Sequence, residues 1–214
     1  MTDLSRIKTL VEETQNKMKE KSSSFLGFAF IVDSEESAFE KIKELKKKYY
    51  DATHHCYAIK LNSGFEKYSD DGEPTGTAGI RILSAISHFG LTNILVVVIR
   101  YFGGIKLGVG PLGKAYSTCA NELLLNSKII ESIKYEKIEI HYNYNETSKI
   151  HYLLKKYECQ KVSEKFEKSP IISCFLIPDK IKNFEIELND VLHGKSGLKR
   201  INEEMYLELY NIKI

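Results

Sequence analysis

The stretch Asn93-Ile94-Leu95-Val96-Val97-Val98-Ile99-Arg100-Tyr101 sets the strongest limit on the fold. β-Branched residues favour a strand, and an apolar run without polar alternation predicts a strand buried on both faces. A glycine-rich loop follows it directly, and Pro111 to Leu125 then reads as a helix. Ten of the 13 glycines fall between Gly64 and Gly113 and only two lie beyond, so special backbone geometry is concentrated around this strand.

The flanking sequence supplies the other layers. Phe25 to Val32 reads as a buried strand, and Asp33 or Ser34 caps a helix with Glu35 and Glu36 in its first turn and Lys46, Lys47 and Lys48 at its end. Ala38, Phe39, Ile42, Leu45 and Tyr49 form its apolar stripe. Ala52 to Leu61 is a strand, followed by a loop holding Gly64, and Ile80 to Phe89 is a helix. Leu4, Ile7, Val11, Thr14 and Met18 fall at helical spacing, yet Thr9 to Lys21 reads equally well as an exposed hairpin. From Tyr135 onward the order is β-α-β-β-α-β, the ferredoxin-like pattern. A boundary near Ser132 to Lys134 divides the chain into domains 1–134 and 135–214.

Charge and cysteine usage narrow the class. The 214 residues carry a formal net charge of +2, far below that of a polybasic nucleic-acid scaffold. The longest apolar run, Ile94 to Ile99, is well short of the roughly 18 residues of a membrane span. Met1 to Lys21 has no signal-peptide apolar segment, so the expectation is a cytoplasmic protein without a membrane partner. Cys56, Cys119, Cys159 and Cys174 form no Cys-x-x-Cys pair, which leaves no zinc ribbon or thioredoxin motif.

Three segments could carry chemistry. In Asp51-Ala52-Thr53-His54-His55-Cys56-Tyr57, strand alternation puts His54 and Cys56 on one face. They read as half of a metal site, as a base and nucleophile, or as a hydrogen-bonded structural strand. Ser69 to Gly79 sets Asp70, Asp71 and Glu73 close together, an arrangement that is costly without a cation or donors nearby. The acidic loop reads as a turn that caps the next helix through Thr75 or Thr77, as a binding surface, or as a carboxylate site. Arg100 to Lys114 runs from strand through glycine-rich loop to helix N-terminus and points backbone N–H groups at an anion. Gly108 to Lys114 matches a P-loop spacing, but Ala115 replaces the magnesium-binding Ser or Thr. Gly108, Gly110 and Gly113 match the dinucleotide spacing, but Gly103 to Leu107 separate them from the strand. A phosphate or RNA backbone contact and tight chain packing both remain open.

Taken together, the runs Asp51 to Ala58, Ser69 to Gly79, Leu91 to Val98 and Arg100 to Gly108 resemble the YigZ/IMPACT family, also described as UPF0029. The clear resemblance covers about Ser24 to Ala120. It implies an α+β fold whose first domain is similar to domain IV of elongation factor G, with a left-handed βαβ connection, followed by a ferredoxin-like domain. It also favours strands over a helix for Thr9 to Lys21. Eukaryotic members look like translation regulators, and the resemblance supplies no settled activity for bacterial ones. Ile99 stands where Thr is typical, and Val109-Gly110-Pro111-Leu112-Gly113-Lys114 replaces a run close to Ala-Gly-Gly-Leu-Val-Arg.

The expected function is therefore a non-catalytic, translation-associated regulator that binds RNA or a ribosome-associated partner and needs no cofactor or metal. Arg100, Tyr101, Phe102, Gly103, Gly104, Lys106, Gly108 and Lys114 are the candidate binding residues, with Asp70, Asp71 and Glu73 as the acidic loop. A small-molecule hydrolase or transferase is the alternative, with His54 as base, Cys56 as nucleophile or ligand, and Asp71 or Glu73 as second acid or metal ligand. A purely protein-binding module is a further alternative.

Overall fold

The computed structural model describes residues 6–166, 169–194 and 197–212, with side chains through 206. In chain order the first elements are β1 (Arg6–Leu10), β2 (Thr14–Glu20), β3 (Ser23–Ile31), α1 (Glu35–Lys48), β4 (His54–Lys60) and β5 (Glu66–Ser69). They are followed by α2 (Gly79–His88), β6 (Ile94–Tyr101), α3 (Val109–Leu125) and β7 (Ile129–His141). The chain then continues through α4 (Thr147–Lys156), β8 (Gln160–Phe166), β9 (Pro170–Leu176), α5 (Pro178–Val191) and β10 (Leu198–Ile212). Ile7–Glu131 and Ser132–Leu209 form separate compact units of this α+β chain.

In the first unit, β6 is the middle strand of an antiparallel sheet ordered β2-β3-β6-β4-β5. Ile94 through Arg100 are all buried, as expected for a strand covered on both faces. Val96 and Val98 pack with α2 and α3, whereas Leu95, Val97 and Ile99 pack with α1. Each such side chain contributes about 1.5–3 kcal/mol on full burial. The result is a three-layer unit with one helix on one face and two on the other.

Local sequence explains the helix ends. Ser34 caps α1, its hydroxyl accepting from Ser37 N while the Ser37 hydroxyl accepts from Ser34 N. Glu35 and Glu36 at the start and Lys46 to Lys48 at the end complement the helix dipole. The start of α2 differs from expectation. Its N-cap is Ala78, which makes no side-chain cap, and neither Thr75 nor Thr77 takes that role. The Asp70 carboxylate supplies the acceptor instead, reaching Ala78 N and Gly79 N from upstream in the chain.

Thr9 to Lys21 is extended, but not as one hairpin. β2 pairs with β3 through a turn at Lys21, which has φ 51°, while β1 pairs with β7. The second unit has the element order β7-α4-β8-β9-α5-β10. β9 lies between β7 and β8, and β10 also pairs with β7. Ile138, Ile140, Ile172 and Cys174 from the strands share one core with Ile150, Leu153 and Leu154 of α4 and Ile181, Phe184 and Leu188 of α5.

Candidate functional site

Strand register assembles the floor of the site. Arg100 on β6 lies opposite His54 on β4 and Phe25 on β3, so three residues far apart in sequence form one lateral row on the α2/α3 face. The acidic loop between β5 and α2 then folds over the end of this row. Arg100 Nη1 donates to Glu73 Oε1 at 2.7 Å, and the Tyr116 hydroxyl donates to the same oxygen at 2.8 Å. Glu73 and Arg100 are 8% and 5% exposed, so this ion pair is buried. Arg100 Nη2 donates to the Ser23 hydroxyl, and the guanidinium lies 5.6 Å from the Phe25 ring centroid and 5.3 Å from that of Phe102.

His54 has a fixed tautomer. Its Nδ1 lies 2.8 Å from the Asp71 carbonyl oxygen, which can only accept, so Nδ1 carries the proton. Nε2, the other ring nitrogen, lies 3.7 Å from Glu73 Oε2. Cys56 shares the face with His54 but is fully buried, its thiol donating to the Asp70 carbonyl at 3.0 Å and lying 3.4 Å from the Tyr116 hydroxyl. Burial pushes the Cys56 thiol well above its ordinary value, which keeps it protonated and poorly nucleophilic. The same burial raises the Tyr116 phenol, so Tyr116 serves Glu73 as a donor.

The three carboxylates of the acidic loop go to three different sets of donors. Asp70 Oδ1 accepts from Ala78 N and Gly79 N, and Oδ2 accepts from Gly76 N. Asp71 accepts from His55 N at 2.6 Å and pairs with Lys46 at 2.8 Å, on the side away from Glu73. Glu73 alone joins Arg100. Among the described residues no group of three or more His, Cys, Asp or Glu side chains is arranged to hold a metal ion.

Above the Arg100 and Glu73 pair opens a cleft of about 400 Å³. His54, Glu73, Arg100 and Lys106 give it polar groups, and Pro74, Phe102, Leu107, Val109 and Leu112 give it apolar walls. Phe102 is 43% exposed at its rim. At one edge Gly108 is the N-cap of α3, with a φ of 84° that suits glycine and no side chain to cap the helix. The N–H groups of Val109 and Gly110 are therefore open donors at the positive end of that helix.

Of the candidate binding residues, Arg100, Phe102, Lys106 and Gly108 meet in this cleft. Tyr101 points to the opposite face of the sheet, among the residues around α1, with its hydroxyl on Asp51 at 2.8 Å. That bond pushes the Tyr101 phenol up to about 12. Lys114 lines a neighbouring cavity with Arg81. Gly104 lies exposed in the loop. Two residues that complete the floor, Ser23 and Tyr116, carry no sequence signal of a site, since each reads as an ordinary strand or helix position.

Gly103 is fixed by close approach. A Cβ at this position would lie 1.9 Å from the Ser22 carbonyl oxygen, and Gly103 N donates to the Ser23 hydroxyl at 3.4 Å. Gly103→Ala should therefore cost roughly 1–3 kcal/mol, read as a lower urea midpoint at unchanged slope. An unchanged midpoint would mean that the loop moves away from β3 freely.

Residues 21–124 match the Impact N-terminal domain, a span that holds every group of this cleft. The chain is 30% identical over 202 residues to the IMPACT family member YvyE of Bacillus subtilis (strain 168), covering 94% of this chain and 93% of that one. It is 29% identical over 199 residues to the IMPACT family member YigZ of Escherichia coli (strain K12), covering 91% and 95%. A solved structure described as a hypothetical protein is 26% identical, with a TM-score of 0.64 over 93% of this chain and 98% of that one. Sequence likeness over nearly the full length of these relatives thus agrees with the motif segments that build the cleft, and the chain belongs to the IMPACT family.

Proposed function

We propose that the protein is a cytoplasmic, non-catalytic factor that acts in or beside translation by binding RNA in the Arg100 cleft. The place in translation follows from family membership and from the role the resemblance implies for eukaryotic members. RNA as ligand is supported above all by one juxtaposition: exposed Phe102 lies over the Arg100 guanidinium, next to Lys106 and the uncapped start of α3. An aromatic ring offers a base a stacking surface, while a lysine and open helix N–H groups offer a phosphate its donors. The near-neutral net charge fits local recognition better than indiscriminate binding.

The test is fluorescence anisotropy with a labelled single-stranded RNA of about 12 nucleotides, at salt between about 50 and 200 mM. Wild-type protein should bind in a salt-dependent way, and Phe102→Ala with Lys106→Gln should weaken binding about 10- to 100-fold. Both side chains are exposed, so the variant should fold. Absence of wild-type RNA binding across that range would sink the reading.

A hydrolase or transferase is the second reading, and His54 Nε2 facing Glu73 at the cleft is the observation that favours it. In that case His54 is the base, while Cys56 lacks the exposure a nucleophile needs.

A further inference from the structure

We infer that the Arg100 cleft is one end of a track for single-stranded RNA that crosses Val109 into a second phosphate site formed by Arg81 and Lys114. This deepens the RNA reading above and rests on it. A second cavity, of about 450 Å³, lies against the first two turns of α3. Arg81, Lys114, Thr75, Thr77 and Ser117 line it, and Val109 lines both cavities. Val109 is 67% exposed, an apolar side chain standing in water between two basic hollows. A residue so placed can separate neighbouring nucleotides, each then lying in its own hollow.

The charges of the second cavity are available. Lys41, Lys46, Lys60 and Lys67 of the same unit each pair with a carboxylate. Arg81 and Lys114 are exposed and have no ion-pair partner among the described residues, and the same holds for Lys106 in the cleft. Gly113 lies between them in the wall of this cavity, close to Arg81. A further buried group belongs to the floor of the first cavity alone. Arg100 is 5% exposed, and its Nε is a buried donor with no partner.

Single strands suit this surface and duplexes do not. A base can enter the cleft beside Phe102 only when it is unstacked, and splayed single-stranded bases meet that condition. A duplex would present its phosphates to Arg81, Lys106 and Lys114 but leave the cleft empty.

The experiment measures anisotropy of a labelled single-stranded RNA hexamer and of a blunt RNA duplex of about 16 base pairs. Three proteins are compared: wild type, Arg81→Gln with Lys114→Gln, and Lys106→Gln. The double variant should bind the hexamer about tenfold more weakly, with the salt slope shallower by about one. Wild-type protein should prefer the hexamer to the duplex. Hexamer binding at wild-type strength and slope in the double variant, alongside a loss in Lys106→Gln, would overturn the track while leaving the cleft reading intact. Equal wild-type affinity for the duplex would also overturn the track. No wild-type binding to either RNA would overturn both.

Discussion

Glu73→Ala should lower the unfolding free energy by about 3–5 kcal/mol, read from urea denaturation followed by far-ultraviolet circular dichroism. The size follows from burial on both sides of the bond. Glu73 is the carboxylate that balances Arg100, and both are nearly inaccessible. Its removal also strips the Tyr116 hydroxyl of its acceptor. An unpaired buried guanidinium costs several kcal/mol, because little water reaches it to replace the lost partner. Arg100→Met should be destabilising for the mirror reason. Glu73→Leu with Arg100→Met should cost much less than the sum of the single changes, since the pair is then replaced by apolar groups of similar size. A Glu73→Ala cost below about 1 kcal/mol would show that Arg100 reaches solvent or another acceptor.

This coupling has a consequence for binding. Arg100 has one arm committed to Glu73 and one to Ser23, so it can shape and charge the cleft floor but is not free to swing outward. In the proposed RNA complex, a phosphate would meet Lys106 and the α3 N-terminus first, with Arg100 acting from below. Ligand affinity should therefore depend more on the exposed groups than on Arg100. For the same reason, variants of Lys106 and Phe102 are cleaner probes of RNA binding than variants of Arg100, whose first effect is on stability.

Much of the frame was legible because apolar patterning and capping chemistry are local. β6 announced its double burial through its unbroken apolar run from Ile94 to Ile99, and Ser34 announced the start of α1. β5 was missed because Glu66-Lys67-Tyr68-Ser69 has no buried alternation and exists as an edge paired to β4. The helix α3 begins at Val109, ahead of Pro111, because proline is tolerated in a first helical turn. The site was half legible. His54, Glu73, Arg100, Phe102 and Lys106 stood in short motifs, but their convergence depends on strand register and on where the acidic loop folds. Tyr116 was invisible as a site residue: it is a fully buried position on the core face of α3, and its hydroxyl meets Glu73 only through tertiary packing. The carboxylates Asp70, Asp71 and Glu73 looked alike in sequence, and only the folded loop separates a capping role, a strand-end clamp and a buried counter-ion.

Asp70→Ala should cost about 2–4 kcal/mol at pH 7, because one carboxylate holds three backbone donors at the start of α2. Burial alone would raise the Asp70 carboxyl, but the N–H groups of Gly76, Gly79 and Ala78 outweigh it and hold the group below its usual range. A carboxyl lowered in the folded state contributes stability that is full above its unfolded value of about 3.9 and is lost as pH falls through its folded value. The stability gap between wild type and Asp70→Asn should therefore be widest near neutrality and should shrink below about pH 4. Denaturation of both proteins at a series of pH values checks this directly, and a gap that stays constant down to about pH 2 would show that the charge of Asp70 is immaterial. The carbonyl of Asp70 also receives the Cys56 thiol, and the loop it anchors carries Glu73 into the cleft. Loss of the Asp70 knot should thus loosen the Glu73 and Arg100 pair as well, so Asp70→Ala combined with Glu73→Ala should cost less than the two single losses added together.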